Sequence, residues 1–508
     1  MVVFIIQKDL FIKNGIILTV SSLIIRSLAM AFRVYLSSCA GTVGIGIYQL
    51  IISVYAVFAL ICTSGITITV TRLTADVLAK GSPGKALFIT EKFLIISLVF
   101  SSLLSALLFF SSDFISVFIL SDDRCAAALM LLAPSLPFMS FSAVLRGYFS
   151  AKRKMIFTAA EQLLEQLAEI GVCIIVFSYF SPQTPQGACC AAVSGTTAAE
   201  LLSFVYSLSV YIIHKKRLHC RKEPVKHIIA DALPVALPCT ANSGLRSALS
   251  AIENILIPAG LIKYGADSAA ALGEYGIITG LAMPVIVFPS VFILPFSSLI
   301  IPEMSQANVL NHKNGIRHMS ERMTSAILKY SLPVMFVMIF FSRDIGNILY
   351  SSEKSGFYIA VLAPVIPLMY LDSGVDGILK GLNEQTSYFI FNLIDSIIRV
   401  ILTWLLLPKL GALGIIVVIL FSELLNTTMS FARLIKVTRL RFSLTEYLLR
   451  PVLCSLLPCI TIRMIPGNSA FLVSLKLILC LITYGVIMAV TSENRKVFRR
   501  SRTSVKTE

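Results

Sequence analysis

Apolar runs of bilayer-spanning length recur along the whole 508-residue chain, separated by short polar or basic stretches. A helix needs about 20 residues to cross the hydrocarbon core. In lipid every backbone N–H and C=O must be satisfied within the protein, which leaves helices and closed barrels. Barrel strands would alternate apolar and polar residues over about ten positions, whereas these runs are continuous. The chain therefore reads as an all-α integral membrane protein. Composition agrees, with 56% hydrophobic and 14% charged residues, against about 25% charged in soluble domains. The first run is too long for a signal-peptide core, and no small-residue cleavage site closes it. It is expected to remain as the first span.

Fourteen spans are expected, near 11–37, 44–71, 87–111, 126–148, 157–180, 187–213, 230–257, 276–300, 323–342, 357–379, 387–407, 411–435, 446–465 and 470–490. Lys and Arg collect in cytoplasmic loops, which tests the count. With both termini cytoplasmic, 31 of the 43 basic residues fall inside, 6 outside and 6 within helices. An omitted span would scramble that alternation. The expected organisation is an N-terminal lobe of six helices (1–213), a basic cytoplasmic linker (214–229), a C-terminal lobe of six helices (230–437), two further helices (438–490) and a basic cytoplasmic tail (491–508). This topology also accounts for the net charge of +16 without nucleic acid. Contact with anionic lipid head groups is a second use for the linker.

The two lobes resemble each other. The fourth expected helix carries Pro134-Ser-Leu-Pro137 and ends in Leu145-Arg146-Gly147, while the tenth carries Pro364-Val-Ile-Pro367 and ends in Leu379-Lys380-Gly381. Fourteen residues after each glycine stands an acid, Glu161 and Asp395; the match needs a shift of about one helical turn between the prolines and the basic-Gly pair. An even number of helices separates the copies, so the repeat is parallel. Transporters place substrate at such a repeat interface.

Charges within the apolar runs carry the chemistry. Arg26 lies in the middle of residues 15–36 (GIILTVSSLIIRSLAMAFRVYL), and Arg33 follows two turns later on the same face. An arginine at bilayer depth costs roughly 2.5–3.5 kcal/mol on insertion scales. Two on one face imply a polar cavity within a bundle and an anionic ligand. Arg246 and Arg399 lie in later runs, and Arg72 stands at the inner end of the second. Arginine grips phosphate with a planar fork and stays charged at any working pH. The alternative for each is an ion pair that only joins helices; for Arg399 the candidate partner is Asp395, four residues earlier. The acids are Glu161, Glu165 and Glu169, spaced i, i+4, i+8 beside Gln162 and Gln166, with Glu200, Glu253, Asp372, Asp376, Asp395 and Glu423. Of these, Glu161, Glu165, Glu253, Asp395 and Glu423, together with Arg399, are candidates for lining the cavity or coupling to an ion. A coupling proton or sodium ion stays open, and no cofactor is implied. Prolines at 234, 238, 284, 289 and 295 interrupt two runs and suit hinged helices.

Catalytic signatures are absent: there is no GxxxxGK[ST], HExxH or GxSxG. An enzyme is not expected. The eleven cysteines are scattered through apolar runs without CxxC, as expected of small buried hydrophobes. His214, His219 and His227 beside Cys220 lack zinc-type spacing.

Several segments resemble a known family. They are IIRSLAMAFRVYLSSCAGTVGIGIYQL, PSLPFMSFSAVLRGYFSAKRKMIFTAAEQLLEQ, ENILIPAGL, EYGIITGLAMPVIVFPSVFILPFSSLIIPEMS and ILKGLNEQTSYFIFNLIDSIIRV. Together they are similar to the stage V sporulation protein B group. That group lies in the polysaccharide-transporter branch of the multidrug/oligosaccharidyl-lipid/polysaccharide (MOP) flippase superfamily, related to lipid II flippases and MATE-like exporters. The resemblance implies two six-helix lobes plus two C-terminal helices in a bacterial cytoplasmic membrane. It implies passage of a polyprenyl-diphosphate-linked saccharide from the inner to the outer leaflet. Arg26, Arg33 and Arg246, with Arg72, match the arginines that related flippases place around a central cationic cavity. Membrane lipids and cell-wall synthesis enzymes are the implied partners. Two other readings stay open, a cation-coupled multidrug exporter of the same superfamily and a non-transporting scaffold for cell-wall synthesis.

Overall fold

The computed structural model describes residues 2–182, 184–218, 223–225, 228–467 and 469–504. Parts of the basic linker, including His219, Cys220 and His227, and the end of the basic tail lie outside the described residues. Among the described residues all regular structure is helical.

The first helix, α1 (Val2–Ala79), is broken at Gly41, where φ 65° and ψ −179° fall in a region reserved for glycine. It is followed by α2 (Pro83–Phe114), α3 (Ala126–Leu132), α4 (Ser135–Ala151), α5 (Met155–Phe180), α6 (Pro185–Leu218) and α7 (Ile228–Tyr264). Then come α8 (Ser268–Tyr275), α9 (Met283–Val287), α10 (Leu294–Val309), α11 (Lys313–Phe340), α12 (Ser342–Tyr350), α13 (Glu353–Leu362) and α14 (Val365–Gly381). The chain closes with α15 (Gln385–Leu410), α16 (Ala412–Thr438), α17 (Arg450–Arg463) and α18 (Ala470–Ser504). Hydroxyls within these apolar helices donate to their own backbone one turn back, as Thr63 does to the Ala59 carbonyl (2.7 Å) and Thr90 to that of Ala86 (2.8 Å). That satisfies a polar side chain where no water reaches.

Eleven described helices are long and apolar enough to cross a bilayer, and thirteen elements are if two bent pairs each count as one span. This falls short of the fourteen expected because the first two expected spans run together in α1. The bent pairs are α3 with α4 (43°) and α13 with α14 (55°). Each bends at an Ala-Pro step, Ala133-Pro134 and Ala363-Pro364, because proline offers no N–H to the preceding turn. The internal repeat is visible in helix ends. The helices α4 and α5 begin at Ser135 and Met155, and α14 and α15 begin at Val365 and Gln385, 230 residues later in both cases. No one-turn shift is needed. This corrects the expected match of Glu161 with Asp395: the repeat sets Glu165 opposite Asp395 and Glu169 opposite Arg399.

Packing divides the chain into two units, Met1–Gly280 with Ser396–Gly414, and Leu281–Asp395 with Ile415–Glu508. In the first unit Val70, Leu87, Phe93, Leu145, Tyr148 and Phe149 form one buried cluster. Phe32 and Leu36 pack on Cys173, Phe177, Ala188 and Ala192 in another. Here α1 meets α8 so closely that a Cβ on Gly46 would overlap the Leu272 carbonyl. In the second unit Arg463 of α17 pairs with Asp344 of α12 and lies 5.7 Å from the Phe341 ring centre. The buried Lys476 ammonium donates to the Ile465 and Gly467 carbonyls at 2.8 and 2.6 Å.

Candidate functional site

The i, i+4, i+8 spacing on α5 sets its three glutamates on one face, and α1 packs against α5 in the first unit. Arg26 therefore meets that polar stripe. Ser22, Ile25 and Arg26 of α1 and Gln162, Glu165, Gln166 and Glu169 of α5 line a cavity of about 260 Å³. Among the described residues Arg26 has no ion-pair partner within 4 Å, so its charge is available to a ligand. Glu169 is held in place by the Thr196 hydroxyl (2.9 Å) and the Gln166 amide (3.1 Å). Behind the cavity, Arg146 of α4 reaches Glu161 at 3.1 Å and Glu165 at 3.8 Å. Glu161 also accepts from Ser203 at 3.0 Å. Glu165 thus belongs to both the cavity and the buried ion-pair group. Glu200 of α6 lies within electrostatic reach of the same group and is 4% exposed.

The remaining candidates do not line this cavity, although Arg33 lies within electrostatic reach of Glu169. Arg33 donates to the Gly280 carbonyl at 3.4 Å. Arg72 on α1 and Arg246 on α7 are exposed and do not line this cavity. Arg399 donates to Glu253 at 3.1 Å, which joins two candidates in one ion pair between α15 and α7. Asp395 is buried and accepts from Ser422. Glu423 is half-buried on α16 in the second unit. Asp372 accepts from the Asn426 amide at 3.2 Å.

Arg146 was not among the candidate site residues, because the sequence sets it at the end of the fourth expected helix. Helix α4 runs on to Ala151, five residues further. The signal was present in the uncharged continuation Gly147-Tyr-Phe-Ser-Ala151. Chemically, the cavity offers one fixed cation, two carboxylates and two amides. A guanidinium suits an anionic group, and the amides and carboxylates suit hydroxyl and amide substituents.

A family described as "Polysaccharide biosynthesis protein" matches residues 11–308. The chain belongs to the polysaccharide biosynthesis protein family. Among curated relatives, it is 26% identical to the stage V sporulation protein B of Bacillus subtilis (strain 168) over 451 residues, 87% of each chain. It is 21% identical to the sporulation protein YkvU of the same organism, over 86% of this chain and 97% of the other. Among solved structures, an inward closed lipid II flippase MurJ superposes with a TM-score of 0.73 at 15% identity, covering 94% of this chain and 99% of that one. An inward-facing multidrug resistance MATE family transporter of the MOP superfamily follows at 0.60 and 15% identity, covering 82% and 95%. The chain is thus a multi-pass helical membrane protein with the fold of these transporters.

Proposed function

We propose that this chain is a flippase that carries a polyprenyl-diphosphate-linked saccharide, either a lipid II-like peptidoglycan precursor or a polysaccharide repeat unit, from the inner to the outer leaflet. The observation that carries the reading is Arg26, a cation without an ion-pair partner among the described residues, set in a spanning helix against a polar cavity. Membership of the polysaccharide biosynthesis family and the names of the sporulation and lipid II relatives support it.

In this reading the diphosphate enters from the cytoplasmic side and is held by Arg26, assisted by Arg33, Arg246 and Arg72 as the lobes rearrange. The saccharide hydrogen-bonds to Gln162, Gln166, Glu165 and Glu169, and the polyprenyl tail stays in lipid. Residues 1–213 and 230–437 act as two lobes that rock about the site, the general scheme of alternating access. Glu253, Asp395, Arg399 and Glu423 contribute the helix-joining contacts that change between states. The span count is fourteen: the 61 apolar helical residues Thr19–Ala79 would stretch roughly 90 Å if straight, and the break at Gly41 divides them. Both termini are then cytoplasmic, in a bacterial plasma membrane. The chain is not an enzyme. Membrane lipids and cell-wall synthesis enzymes are its partners, and nucleic acid is not.

The two carboxylates that share the cavity with Arg26 favour a second reading, cation-coupled export of cationic compounds. Native mass spectrometry separates the two. The wild type and the Arg26→Ala and Arg246→Ala variants are mixed with polyprenyl-diphosphate saccharides. Selective binding lost in both folded variants supports the flippase. Undiminished binding in both makes those arginines structural and turns the reading to export.

A further inference from the structure

The buried group behind the Arg26 cavity carries more negative charge than its neighbours balance. Arg146 is shared by Glu161 and Glu165, at 3.1 and 3.8 Å. Each acid on α5 has further support: Glu161 has the Ser203 hydroxyl, Glu169 has Thr196 and Gln166, and Glu165 opens to the cavity. Glu200 has none of this. It is 4% exposed, and its Oε2 atom has no hydrogen-bond partner among the described residues. The groups facing it are Arg146 from α4, Glu161, Glu165 and Glu169 from α5, and Tyr55 from α1. Three of the four charged groups near it are therefore of its own sign. One turn before Arg146 on the same helix face, the Ser142 hydroxyl is also fully buried without a partner.

A carboxylate buried among other carboxylates, with one oxygen lacking a donor among the described residues, is costly to keep ionised in a low-dielectric interior. A compensating positive charge is required. Among the described residues no three acidic, histidine or cysteine side chains gather closely enough to hold a metal ion. The smallest cation needs only one carboxylate.

We propose that Glu200 is the proton-binding group of a buried site in the first unit, in which Arg146 balances Glu161 and Glu165 and a proton neutralises Glu200. The proton is held as a carboxylic acid, with Glu161, Glu165 and the Tyr55 oxygen as nearby acceptors for exchange. Glu165 links this site to the cavity, so charge entering beside Arg26 acts on the same cluster. The proposal stands whether the cavity takes a lipid diphosphate or a cation.

Infrared difference spectroscopy of the full chain in lipid vesicles tests it through the carbonyl stretch of protonated carboxyl groups. At neutral pH the wild type is expected to show this band, and Glu200→Gln to lose one carboxyl's share of it. Glu161→Gln is expected to keep it. Glu200→Met, neutral and of similar length, repeats the subtraction if the glutamine variant does not fold. A wild-type spectrum without a protonated-carboxyl band at neutral pH overturns the proposal, as does a band that survives unchanged in the folded Glu200 variants.

Discussion

At the scale of single residues, two arginines in the first unit do different work. Arg146 is 17% exposed and its partner Glu161 is 3% exposed, so their ion pair is desolvated. Removing one member of such a pair leaves the other charge buried, at a cost of about 3–5 kcal/mol. Arg146→Ala is therefore expected to lower thermal stability in detergent strongly, while the double variant Arg146→Met/Glu161→Gln is expected to recover part of it, since Glu165 still lacks its cation. Arg26 has no such partner among the described residues. Arg26→Ala is expected to leave the melting temperature within a few degrees of wild type and to reduce binding of a diphosphate lipid at least tenfold, measured by native mass spectrometry. A variant that binds as wild type does but melts early would exchange the two roles. Arg26 was legible in the sequence because a charge in the middle of an apolar run must be met by a ligand or by an ion pair. Arg146 was not, because it stands at the end of the expected fourth helix and only the continuation of α4 to Ala151 brings it inside.

At the scale of helices and turns, local rules decide where the chain bends. Gly41 combines φ 65° and ψ −179° with open space around its missing Cβ. Gly41→Ala therefore meets no clash but an unfavourable backbone, costing about 1–3 kcal/mol. A drop in unfolding free energy of that size is expected in Gly41→Ala, while Gly171→Ala, at a helical glycine equally open, is the control expected to hold or raise stability, by up to about 1 kcal/mol. The turn between α14 and α15 is tied by Arg433, whose guanidinium reaches Glu384 at 2.8 Å and holds its carboxyl below the usual carboxylate range. A depressed folded-state value means that this contact stabilises the fold above the ordinary carboxylate range and is lost as pH falls through the depressed value. Glu384→Gln is expected to lower stability at neutral pH, where the contact is fully present, and to flatten the loss that the wild type shows through that acidic window. An unchanged acidic profile would exclude the contact as a source of pH dependence. The paired Pro motifs reveal the repeat through residue spacing alone and already carry its register, since Pro134 and Pro137 stand 230 residues before Pro364 and Pro367. A glycine-to-acid spacing placed Glu161 opposite Asp395, and the helix starts, also 230 residues apart, match Glu165 to it instead. Arg399 has a candidate partner in its own helix, Asp395, and the fold adds Glu253 from α7 at 3.1 Å, which no sequence spacing shows.

At the scale of the whole molecule, the class of fold was written in the hydrophobic pattern, because a bilayer permits so few solutions. The family and the transporter fold follow that expectation. The sequence offered both Arg26 and the glutamates of α5 as cavity candidates but did not bring them together. Long-range packing of α1 on α5 sets glutamates beside Arg26. A pocket of mixed charge can hold an anionic diphosphate and also hydrogen-bond a polar sugar. Its claim to do so rests on transport. The most direct measurement reconstitutes the chain in liposomes that carry a labelled polyprenyl-diphosphate saccharide in one leaflet and follows its appearance in the other. The expected result is translocation by the wild type, well above protein-free liposomes, and its loss in an equal amount of folded Arg26→Ala. Translocation no faster than in protein-free liposomes, or an Arg26→Ala rate equal to wild type, would contradict the central claim.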